Sequence, residues 1–290
     1  MGIGKLIREL RLNKKILAKD LYRNILTRAA VVKFEKGDSD TSSEKLFEIL
    51  NRLNITLEEF FYLYFKKSYG DKMNLSPSEY MVAFYNRDLK MLEKISELSE
   101  IQYLKSGNIR YLHNKIISNT LMDSIMNKEH YSSESDTEII KSYLLNCDYW
   151  GYYELTLFIN TLSFYSDEFI DITYKKTRAH LNTYNKLIRY RNEISILLLN
   201  ILEKNFRSGN FTSAKSYYNE LKKIKNTSLD NMYYQAMIAY FGKLLEYVEG
   251  EKEAEKEVNK IIEIFLFLEM KHKAIQCKHL YEDVKKFREW

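Results

Sequence analysis

The feature that most constrains this chain is its shortage of turn residues: one proline, Pro77, and nine glycines in 290 residues. β-Sandwiches and βαβ folds need such residues at short, regular intervals, and this chain does not supply them. Helices joined by tight polar turns are the simplest alternative, so the expected fold class is all-α. The length accommodates a small head domain followed by a larger body with a continuous core.

Residues 1–36 carry ten Lys/Arg against Glu9, Asp20 and Glu35, although the whole chain has a formal net charge of only +5. A basic head on a slightly acidic body is the distribution expected when the first domain touches phosphate. Cys147 and Cys277 lie far apart and outside any CxxC spacing, so neither a disulfide framework nor a cysteine zinc site is expected, and a reducing cytoplasm fits. The opening MGIGKLIRELRLNKK is too charged for a signal peptide, and no apolar run approaches the ~20 residues of a membrane span. The longest, Ile194 to Leu202, is interrupted by Ser195 and Asn200. A cytoplasmic protein with no membrane partner is expected.

The head parses into five helices: Ile3–Leu12, Leu17–Arg23, Thr27–Glu35, Glu44–Leu53, and a fifth from Thr56 through Phe65. Gly37 is placed to take a positive φ after the third. Ser42 or Ser43 caps the fourth, and Thr56 with Glu58 and Glu59 caps the fifth. Pro77 reads as the first residue of a new helix after a Ser76 cap. These signals divide the chain into a basic head (1–66), a linker (67–76) and a helical-repeat body (77–290).

Within the head, Leu21, Ile25, Val31 and Phe34 fall where a helix-turn-helix buries its two helices against each other. The third helix then presents Thr27, Arg28, Ala29, Val32 and Lys33 outward. Thr27 caps that helix, whose free N–H groups suit a phosphate. Arg28 has the fork that reads guanine O6/N7; Lys33 offers a point charge. Arg11 and Lys19 are placed to contact the phosphate backbone of double-stranded DNA. A basic surface pair in a protein adaptor is the alternative, and charge and helix order together favour DNA.

In the body, Ser208-Gly209-Asn210-Phe211 leads to Ala214, and Glu249-Gly250-Glu251-Lys252 leads to Ala254. Each glycine closes one helix, and each alanine sits where the next must pack closely on it. Weaker echoes at Ser133–Thr137 and Ser166–Phe169 give repeat starts near 134, 167, 210 and 250, the spacing of helix-hairpin repeats. Such pairs stack into a right-handed, tetratricopeptide-like superhelix with a concave face.

Arg8-Glu9-Leu10-Arg11, Thr27-Arg28, Lys33 through Ser39 and Leu53 through Phe60 together resemble the amino-terminal domain of Rgg/GadR/MutR regulators. Asp148-Tyr149-Trp150-Gly151-Tyr152-Tyr153-Glu154-Leu155-Thr156-Leu157-Phe158-Ile159-Asn160 resembles that family's W-x-x-Y-E-L-x-L-F-x-N segment. Leu17 and Ala18 depart from the pattern, standing where a capping Ser and a phosphate-contacting Gln are usual. Asn24 replaces the turn glycine, and Asn tolerates a left-handed conformation. The resemblance implies a transcription regulator whose repeat domain binds a short hydrophobic signalling peptide imported into Gram-positive cells, as in quorum sensing.

A peptide groove needs apolar walls and amide side chains that both donate and accept. Asn160 and Asn200 interrupt apolar helices, where a buried Asn is costly without a partner. Tyr153, Arg191, Asn192, Tyr233 and Met237 are candidates for the same face, with ordinary packing the alternative for each. The apolar stripe Leu280, Val284, Phe287, Trp290 suits either a partner subunit in a homodimer or capping of the last repeat.

Catalytic patterns do not emerge. The histidines (His113, His130, His180, His272, His279) form no H-E-x-x-H, there is no P-loop or G-x-G-x-x-G, and Glu249–Glu257 interleaves with lysines as a solvated face. No enzyme, metal or cofactor is expected. A peptide-independent repressor of a phage or mobile element, or a helical scaffold for a protein partner, stands beside the peptide-receptor reading.

Overall fold

Helix ends in the head follow local side-chain chemistry. The computed structural model describes residues 2–69, 77–126, 134–184, 186–224 and 232–288, and among these every regular element is helical. Helix α1 spans Ile3–Asn13, α2 Ala18–Leu21, α3 Arg28–Lys36, α4 Ser43–Arg52 and α5 Leu57–Tyr69. The Thr27 hydroxyl caps α3 by accepting from the Ala30 N–H at 3.3 Å, and Ser42 caps α4 through the Lys45 N–H. Thr56 and Glu59 form a reciprocal capping box: Glu59 N–H donates to Thr56 Oγ1, and Thr56 N–H donates to the Glu59 carboxylate at 2.7 Å. Asn24 takes φ 61° and Gly37 φ 84°, the left-handed turns expected at both positions.

The chain divides into two compact units, residues 1–81 and 82–290. The boundary read at residue 66 falls inside α5; residues 70–76, including the Ser76 cap, lie outside the described residues, and Pro77 opens α6 (Pro77–Tyr85). In the first unit Leu6, Ile7, Leu21, Ile25, Phe34 and Ile49 form the core. Gly4 is what lets α1 cross α3 so closely: a Cβ there would stand 1.8 Å from the Phe34 carbonyl oxygen.

The second unit continues with α7 (Leu89–Ser106), α8 (Ile109–Ile125), α9 (Glu134–Asn146), α10 (Tyr152–Asn160) and α11 (Asp167–Thr183). It ends with α12 (Ile188–Arg207), α13 (Phe211–Lys223), α14 (Met232–Glu249), α15 (Ala254–Phe267) and α16 (Lys271–Arg288). Sequential helices pack as pairs, notably α7 with α8, α12 with α13 and α14 with α15, and α12 also touches α10, α11, α14 and α16. The hairpin turn before α13 uses Gly209 at φ 73° and an Asn210 side-chain cap, which brings Ala214 to complete burial. Leu280 and Val284 are buried within this unit, and Phe287 lies edge-on against Phe211; the stripe therefore caps its own repeats, with Trp290 outside the described residues. No helix among the described residues is long and apolar enough to cross a membrane.

Candidate DNA interface and ligand cleft

A buried ion pair between Arg11 and Glu35 sets the geometry of the head's helix-turn-helix. Arg11 donates from Nε and Nη2 to the two Glu35 carboxylate oxygens at 2.7 and 2.8 Å, and from Nη1 to the Ile16 carbonyl at 3.0 Å. The Tyr22 hydroxyl donates to the same carboxylate at 2.8 Å. Burial alone would raise the Glu35 pKa, but the hydrogen bonds from Arg11 and Tyr22 together hold it below the usual carboxylate value. This corrects the reading of Arg11 as a phosphate contact: its side chain is 11% exposed and committed to Glu35, so it ties α1 to α3. Arg52 adds a second clamp, donating to the Leu21 and Arg23 carbonyls and holding the turn between α2 and α3.

With that frame fixed, Thr27, Arg28 and Lys33 on α3 and Lys19 on α2 are all exposed. Val32, 51% exposed on the outer side of α3, offers an apolar side chain of the kind that can meet a thymine methyl. Depressions flank α3 on both sides. One, about 470 Å³, is bordered by Lys19, Arg23 and Arg28; the other, about 650 Å³, by Lys33, Thr41 and Lys45. Arg23 and Lys45 also border these depressions without lying on α3; Arg23 belongs to the basic excess of residues 1–36, whereas Lys45 lies beyond it and carries no such signal.

In the body, Trp150 is buried, donates to the Leu144 carbonyl at 3.2 Å and meets Phe158 edge-on. Glu154 accepts from the Gly151 N–H at 2.8 Å and from the Tyr143 hydroxyl at 2.8 Å. The Tyr153 hydroxyl lies 2.7 Å from His113 Nδ1, and Arg110 sits over the Tyr153 ring. His113 is fully buried, which pushes its pKa down to about 4 against the opposing pull of Glu154. Tyr153 and Asn160, seven residues apart, share one face of α10.

The remaining candidates separate. Met237 is 2% exposed and belongs to the core, so it lines nothing; an apolar side chain on the inner face of an amphipathic helix is simply packed. Asn200 is exposed, which corrects the expectation of a buried amide. Tyr233 faces Phe265 and Lys273, on the α15–α16 side. The Asn192 carbonyl accepts from the Tyr234 hydroxyl, while its Oδ1 is buried without a partner. Arg191 lines a cleft of about 430 Å³ between α11, α12 and α13, together with Arg178, Lys186, Glu220 and Lys223. Among the described residues no three metal-ligating side chains converge.

Two family models match this chain. Residues 7–60 match a helix-turn-helix domain, and residues 96–279 match the model described as HTH-type transcriptional regulator Rgg, C-terminal domain. The chain belongs to the Rgg family. As an Rgg-family member it is a DNA-binding transcription regulator, not an enzyme. Its fold is similar along nearly its whole length to solved structures. A candidate transcriptional regulator from Listeria monocytogenes EGD-e aligns with TM-score 0.84 at 22% identity, covering 99% of this chain and 98% of the other. The SHP pheromone receptor Rgg2 of Streptococcus dysgalactiae aligns at 0.74 and 19% identity, over 97% and 98% of the two chains. A bacterial peptide pheromone/receptor complex aligns at 0.70 and 20%, over 98% of each. In this Rgg protein the Trp150–Asn160 segment lies inside the matched C-terminal domain, where it anchors α10 to α8 and α9.

Proposed function

We propose that a short hydrophobic peptide, held by the helical body, controls operator binding by the head. The observation that carries this reading is the end-to-end likeness of fold to a pheromone receptor and to a pheromone/receptor complex, which extends over the body and not only the head. In this reading Arg28 reads bases, Thr27, Lys33 and Lys19 meet phosphate, and two copies of the chain place two heads on paired half-sites. Peptide binding favours one arrangement of that dimer and so shifts the DNA equilibrium. Tyr153, Asn160 and Asn200 supply the groove's aromatic and amide contacts, with Arg191, Asn192 and Tyr233 at its margins.

A pool of synthetic hydrophobic octapeptides, passed over the full chain, tests the reading. Retained peptides should stabilise the protein by about 2.7 kcal/mol at a hundredfold excess over Kd. Asn160→Ala and Asn200→Ala should weaken the retained peptides while leaving DNA affinity unchanged, because each removes a two-sided grip on peptide backbone. Asn200 is the cleaner probe, since an exposed amide can be removed with little effect on folding. Retention of no peptide would favour the peptide-independent repressor over the peptide receptor.

A further inference from the structure

The cleft between α11, α12 and α13 has an unbalanced charge. Four cationic side chains, Arg178, Lys186, Arg191 and Lys223, line it against a single carboxylate, Glu220. Glu220 is already saturated, with Arg178 at 2.5 Å and Lys223 at 2.9 Å. Arg191 Nε is buried with no hydrogen-bond partner, and among the described residues neither Arg191 nor Lys186 has a carboxylate within reach. The cleft therefore keeps a net positive charge that no carboxylate of its lining offsets, which favours an anionic acceptor from outside the chain. The other walls, Leu181, Ile194 and Ile224, are apolar. The volume, about 430 Å³, is that of a site for a small ligand or the end of a larger one.

An acceptor that suits this cleft is anionic, with an apolar group attached. A short hydrophobic peptide carries one such feature by necessity: its carboxy-terminal carboxylate, next to an apolar side chain. Its amino terminus carries the opposite charge and is repelled. We propose that this cleft captures the free carboxy terminus of the regulatory peptide, with the Arg191 guanidinium on its wall and Lys186 at the mouth as the charged donors, and so fixes the direction in which the peptide lies. The inference rests on the peptide-receptor reading and adds to it a site and a polarity.

The test uses octapeptides retained by the full chain, each resynthesised as free acid, carboxy-terminal amide and N-acetylated acid. Calorimetry on the wild type should show the amide binding about ten- to a hundredfold more weakly than the acid, the loss of a charge-assisted hydrogen bond. N-acetylation should leave affinity within about twofold. On Arg191→Gln, acid and amide should bind alike, because the group that distinguishes them is gone. Lys186→Gln, at an exposed position, should narrow the same gap without a folding cost, which keeps the test decisive if Arg191→Gln is unstable. Equal affinity of acid and amide on the wild type overturns the carboxylate site while leaving peptide control intact. An acid-to-amide gap that survives in both variants overturns the assignment of these residues, and a wild type that retains no peptide overturns both proposals.

Discussion

Arg11 and Arg28 carry the same charge seventeen residues apart and stand in opposite surroundings, one buried and one exposed. Arg28 is exposed at the start of α3, so Arg28→Ala should reduce preference for the cognate operator by about 1–3 kcal/mol, as expected of a lost bidentate base contact. Lys19→Ala should instead weaken all sequences alike and flatten the salt dependence. Operator titrations at several salt concentrations separate the two, and a neutral Arg28→Ala would move the recognition surface elsewhere. Arg11→Ala should act through folding: it leaves Glu35 buried with only the Tyr22 hydroxyl and the exposed Arg8 beside it, a loss at the lower end of about 3–5 kcal/mol, visible as a lower thermal midpoint without DNA present. His113 makes a third prediction. Its pKa is depressed from 6.5 to about 4, so its contribution is complete above the ordinary histidine value and declines as pH falls from about 6.5 towards 4. Over that window the body should lose about 3 kcal/mol, read by denaturant unfolding of the buried Trp150. His113→Asn should flatten the profile; an unchanged profile would mean the imidazole is already solvated.

At the scale of elements, the close crossing of α1 over α3 depends on Gly4, whose added Cβ would strike the Phe34 carbonyl. Gly4→Ala should therefore destabilise the head at the upper end of the ~1–3 kcal/mol typical of overpacking, with faster amide exchange in α1 and α3. Normal exchange would show that the helices separate without penalty. What was legible in the sequence follows the range of the interaction. Caps at Thr27, Ser42 and Thr56 and turns at Asn24, Gly37 and Gly209 depend on neighbours within a few residues, and each was readable. Arg11 was misread because its partner, Glu35, lies 24 residues away and on another helix. Gly4 carried no local turn pattern at all; its role exists only once α3 is in place. The cationic cleft was hidden for the same reason: its cations come from three helices and the segment joining α11 to α12, while Arg191 alone looked like an ordinary groove residue. Met237 and Asn200 show the complementary failure, since helical periodicity marks an amphipathic face but does not say which neighbour covers it.

For the whole molecule, the proposed peptide control requires coupling between two compact units, residues 1–81 and 82–290. Coupling free energies of this kind run to about 1–3 kcal/mol, and they are reciprocal: a peptide that alters DNA affinity has its own affinity altered by DNA to the same factor. A peptide with equal affinity for both states shifts nothing, however tightly it binds. Reciprocity therefore separates a regulator from a protein that merely binds two things. The most direct measurement is a thermodynamic cycle on the full chain, with operator Kd measured with and without saturating octapeptide, and octapeptide Kd with and without operator. Both constants should change, by the same factor of about 5–150. Operator affinity that stays the same when the body is saturated with peptide would contradict peptide control.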